Sequence, residues 1–108
     1  FNSDNGSGSK VPGIPVCHGD HPSVSPDGKL VVTDTSLQDL GGKESEWGIV
    51  LADARGNDFI ILHRFDISKG AKSWRRSHPH PAWSADSKRL YFNVSSTQWT
   101  QLFVAEVP

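Results

Sequence analysis

At an offset of 59 residues the chain repeats itself: HPSVSPDGKLVV (His21 to Val32) and HPAWSADSKRLY (His80 to Tyr91) agree at five of twelve positions. The shared residues are His21/His80, Pro22/Pro81, Ser25/Ser84, Asp27/Asp86 and Lys29/Lys88. They fall on turn chemistry and are bracketed by apolar stretches, so the repeated unit reads as a strand, a tight reversal and a second strand. A unit of this kind has faces it cannot bury alone and must stack on a neighbour.

The rest of the chain follows the same grammar. LVVTDT, WGIVLADA and FIILHRF read as strands, separated by a polar loop from Ser36 to Glu46 and by the turn ARGND. WTQLFVAEVP reads as the third strand of the second repeat. Ile49 to Leu51 and Phe59 to Leu62 are nearly continuous apolar runs, the pattern of strands covered on both faces. These features predict an all-β chain made of about two β-propeller blades. Residues 1–19, rich in Gly, Ser, Asn and Pro, read as a linker or the end of a preceding blade; 20–66 form one blade. Residues 67–108 form a second blade, with its third strand last and its fourth missing. Propeller repeats usually run to about 40–45 residues, so the excess is expected in the polar loops. Because two blades do not close a ring, the sequence reads as a piece of something longer, partnered by the remaining blades or by self-association.

Pro26-Asp27-Gly28-Lys29 supplies a proline that presets φ, an aspartate that bonds its own backbone, and a glycine that accepts positive φ. The second copy has Ser87 in place of Gly28. That turn is either of a type that tolerates a side chain or strained.

Charge and cysteine content narrow the partners. Eleven basic residues against twelve acidic ones, a formal net charge of -1, leave no broad footprint for nucleic acid or an anionic membrane. No apolar run reaches the roughly 20 residues of a helical membrane span. A single cysteine, Cys17, excludes an internal disulfide framework.

Four of the five histidines, His18, His21, His78 and His80, lie at or just before the repeated strands. If equivalent first strands sit side by side, His21 meets His80 across the repeat, and His78, two residues from His80 on an extended segment, points the same way. Three imidazoles suit a divalent metal and leave an open position for water or a substrate oxygen, with Asp20, Cys17 or His18 available to complete the shell. The competing reading has each histidine bonding backbone in a turn. His63, alone in a β run, reads as structural. Arg75, Arg76 and Lys72 form a basic edge beside the His-Pro-His segment, and guanidinium forks match carboxylates. Trp74 and Trp83 flank the same segment, as sugar-stacking faces or as core.

SHPHPAWSADSKRLYFNVSSTQWTQLFVAEVP, with the upstream HPSVSPDGKLVVTDT, resembles the C-terminal blades of oligogalacturonate lyases, over about residues 17 to 108. The Pro-Asp-Gly turns are shared with the wider TolB-like propeller group; the His-Pro-His segment paired with an upstream histidine is more specific. The resemblance implies a seven-bladed propeller whose metal ligands are His21, His78 and His80, holding manganese, with zinc as an alternative. It implies β-elimination on acidic, uronate-type oligosaccharides of the pectin kind, with Arg75 and Arg76 as substrate contacts. The family's glutamine ligand stands where this chain has Arg75, which offers only donors. The family's proton-removing histidine belongs to an earlier blade, so no catalytic residue is assigned here and the piece alone is expected to be inactive. A bacterial cytoplasm or periplasm would suit that role. A non-catalytic TolB-like segment that binds protein or glycan is the alternative.

Overall fold

The computed structural model describes residues 19–55, 58–70 and 78–108. The stretch 1–18, which holds most of the expected linker together with Cys17 and His18, lies outside the described residues, as does 71–77, which holds Lys72, Trp74, Arg75 and Arg76.

Among the described residues seven strands make two antiparallel sheets. β1 (Ser23–Val24), β2 (Leu30–Ser36), β3 (Glu46–Asp53) and β4 (Phe59–Asp66) lie in chain order in the first. β5 (Ala82–Trp83), β6 (Arg89–Val94) and β7 (Gln101–Glu106) make the second in the same way. The expected all-β architecture is present, with short 3₁₀ turns at Gln38–Leu40 and Ile67–Lys69 as the helical elements among the described residues.

The repeat maps strand onto strand: β1 pairs with β2 through Ser23 and Val24, and β5 pairs with β6 through Ala82 and Trp83. Between them the same turn recurs. Ser25 Oγ donates to Asp27 Oδ1 at 2.6 Å, and Ser84 Oγ to Asp86 Oδ1 at 2.7 Å. The Lys29 and Lys88 N–H groups donate to the same aspartates, and the Leu30 and Arg89 N–H groups donate to the two serine hydroxyls. Gly28 has φ of 75° and Ser87 of 63°, so the substituted turn keeps the left-handed conformation and carries its strain.

Alternation along β2 divides the core. Val31 faces one way, with Leu37, Val50 and Ala52; Val32 faces the other, with Ile49, Leu51 and Phe65. This second set meets Leu90, Phe92 and Val94 of the other sheet, so the two sheets share one interior. Each such buried aliphatic or aromatic side chain contributes about 1.5–3 kcal/mol. Ile49 to Leu51 are buried as their apolar run implies. Phe59 to Leu62 are only partly covered, with Ile60 47 % exposed, because β4 is an edge strand with one neighbour. A register shift opposite Ile49 and Val50 leaves Leu62 as the extra residue of a β-bulge there.

Two hydrogen bonds near the turns help to clasp the repeats together. Trp83 Nε1 donates to the Ser23 carbonyl at 3.2 Å, and the Asp27 N–H donates to Ser87 Oγ at 3.2 Å. Trp83 also packs on the shared core, which makes it a structural residue here. His63 lies in an aromatic nest, its ring 5.5 Å from that of Phe92 and 5.3 Å from that of Phe103. Burial there pushes its pKa below the usual histidine value.

Candidate metal centre

The site is built where the first strands of the two repeats approach. His21 lies two residues before β1, and His78 and His80 lie just before β5. The ring centres of His21 and His80 are 3.6 Å apart, those of His21 and His78 5.5 Å, and those of His78 and His80 6.2 Å. Repeat symmetry thus brings His21 to His80, 59 residues away, and His78 arrives as a near neighbour of His80 in the chain. Trp47, at the start of β3, stands beside them with its ring 6.3 Å from that of His78.

His80 has φ of +45°, so the His78–His80 segment is not a regular extended strand, and the expectation of two side chains aligned by simple alternation does not describe it. The backbone bond leading into this segment also differs between the repeats. In the first repeat the Asp20 N–H donates to the Asp34 carbonyl; at the matching place in the second, Pro79 has no N–H, and the bond runs in reverse from the Asn93 N–H to the Pro79 carbonyl.

Beneath the rings lies a residue that the sequence reading passed over. Asp34, in the middle of β2, is fully buried, and alternation along β2 puts it on the Val32 side, toward the second sheet. Its Oδ1 accepts the His21 backbone N–H at 2.9 Å, and its Oδ2 faces His21 Nδ1 at 2.8 Å. The same Oδ2 accepts the His80 N–H at 3.1 Å. A buried carboxylate is costly unless its lone pairs are filled, and here donors from both repeats fill them. The available signal was a lone acidic residue inside an apolar strand, two positions after Val32.

Two imidazoles that share one ion across a tetrahedral angle keep their ring centres about 5 Å apart, given metal–nitrogen bonds of about 2.1 Å. His21 and His78 meet that spacing. His21 and His80 are closer than that, tilted over one another at 33°, so their nitrogens do not converge on one point as they stand. Accordingly, among the described residues no group of three or more His, Cys, Asp or Glu side chains is arranged to hold a metal ion. The donor chemistry suits a divalent cation, while His78 and His80, 6.2 Å apart, stand wider than that spacing. Asp20 is exposed, and its backbone bonds to β2. Comparison with known protein families, with curated proteins and with solved structures finds no match to this chain.

Proposed function

We propose that the chain is two adjacent blades of a β-propeller whose junction binds a divalent cation, manganese or zinc, through His21, His78 and His80, and that it serves a lyase acting on acidic, uronate-type oligosaccharides. The observation that carries this reading is the gathering of three imidazoles at the sheet junction, with ring centres between 3.6 and 6.2 Å apart, over a buried carboxylate. A bound cation would neutralise a substrate carboxylate and ease removal of the adjacent proton. In this reading the chain's own residues orient rather than react. His21 is held by Asp34, His80 is tethered through its backbone, and Trp47 offers an aromatic wall beside His78. Arg75 and Arg76, outside the described residues, are the proposed carboxylate contacts on the strength of the sequence resemblance. Further blades or a second copy are the proposed partners. The proton-removing base would come from another blade.

One observation favours the non-catalytic alternative: the His21 and His80 rings pack over one another, as side chains that stabilise a junction do. Elemental analysis of the dialysed protein and of His80→Ala separates the two. Near one equivalent of manganese or zinc in the parent, and little in the variant, supports the cation site. No metal in either after soaking supports a purely structural junction.

A further inference from the structure

We propose that Asp34 is the positioning residue of the histidine cluster. It sets the tautomer of His21, with hydrogen on Nδ1 and a lone pair on Nε2, and it anchors His80 to the first repeat. Only the use of Nε2 by a cation rests on the metal-site reading; the tautomer and the anchoring concern the protein alone.

The argument begins with what surrounds the carboxylate. Asp34 is wholly buried and faces two backbone N–H groups, from His21 and His80, neither of which can act as anything but a donor. A carboxylate so placed is organised as an acceptor. The ring nitrogen that faces it at 2.8 Å must then be the one that carries hydrogen. In neutral imidazole that leaves the lone pair on Nε2, and the His21 side chain is 30 % exposed. A carboxylate behind a ligating histidine fixes the ring's tautomer and orientation.

The repeat supplies an internal control. Asn93 occupies in the second copy the place of Asp34 in the first, and its Nδ2 donates to the His78 carbonyl at 3.4 Å. An amide presents one donor and one acceptor end. It bonds a carbonyl, and it cannot serve donors on both sides as Asp34 does. Of these two equivalent positions the carboxylate stands at the first, and it holds one histidine from each repeat. Asp34→Asn would keep the size and place an NH₂ group either at the Oδ1 position, against the His21 backbone N–H, or at the Oδ2 position, against both the His80 N–H and His21 Nδ1. In the second case the ring is driven to the opposite tautomer.

The test is two-bond ¹⁵N–¹H correlation of the histidine rings at a pH where they are neutral, on the parent and on Asp34→Asn, with zinc titration of both by calorimetry. The expected result is Nδ1–H for His21 in the parent, movement of hydrogen to Nε2 in the variant, and a zinc affinity lower by about 10- to 100-fold. An Nε2–H His21 in the parent overturns the proposal without reference to any variant. A folded variant that retains both the tautomer and the affinity also overturns it. If the parent shows Nδ1–H and the variant loses it, yet neither binds zinc, the positioning role stands and the cation site is what fails.

Discussion

The turn at Ser25–Leu30 and the turn at Ser84–Arg89 are held by the same serine, aspartate and backbone bonds, yet the strands that follow them carry different loads. The first sheet has four strands and puts Asp34 under the histidines; the second has three and puts Asn93 at the equivalent place. Hydrogen bonds from the Ser25 and Ser84 hydroxyls hold the Asp27 and Asp86 carboxyls below the usual carboxylate range, helped by the Lys29 and Lys88 N–H groups. The shared serine, aspartate and lysine are thus those that reverse the chain, while the shared His21 and His80 meet at the junction. The unshared ones set whether a carboxylate or an amide faces the junction and which side carries the backbone strain.

The largest effect should come from the interior that both repeats share. Phe92→Ala is expected to cost about 3–5 kcal/mol in denaturant unfolding, since Phe92 is 2 % exposed in the cluster that joins the sheets. Two separate transitions in the parent would break the picture of one common core. Next comes the turn. Nothing lies within 4 Å of a Cβ built on Gly28, so the cost of Gly28→Ala, about 1–2 kcal/mol, is that of its left-handed backbone alone. Ser87→Gly should move the other way by less than about 1 kcal/mol, because it also gives up the bond from the Asp27 N–H. Changes of the same sign at both positions would mean that the turns are not equivalent.

The smallest effect is that of His63. Its pKa is lowered by burial, so the unfolded chain binds the proton more readily. The stability linked to this group is fully present above the ordinary histidine pKa of about 6.5 and is lost as pH falls through the lower folded value. His63→Phe should flatten that part of a stability–pH curve, measured by thermal melts between neutral and mildly acidic pH.

The sequence made the reversals legible because their chemistry is local: a serine, an aspartate and a residue at positive φ define them within six positions. The histidine cluster was legible for a second reason, that a repeat carries equivalent residues to equivalent places. Asp34 escaped notice because an isolated acidic residue in a strand resembles a solvent-facing one until the second sheet covers it. Phe59 to Leu62 misled in the opposite sense. Composition records what a strand is made of, whereas coverage depends on how many neighbours it has, and β4 has one.

The two clasps near the turns have a direction, and the bond from the His80 N–H to the Asp34 side chain runs opposite to them. The second copy supplies the side chains, Trp83 and Ser87, and the first supplies backbone groups at Ser23 and Asp27. At the matching positions the first copy has Val24 and Gly28, which have neither an indole N–H nor a hydroxyl. Stacking by these two turn clasps is therefore polar, like a pair of hooks on one side of the joint. A unit placed ahead of the first repeat would have to be held by other contacts, while one placed beyond the second would find the backbone of Ala82 and Asp86 in the positions that Ser23 and Asp27 hold in the first.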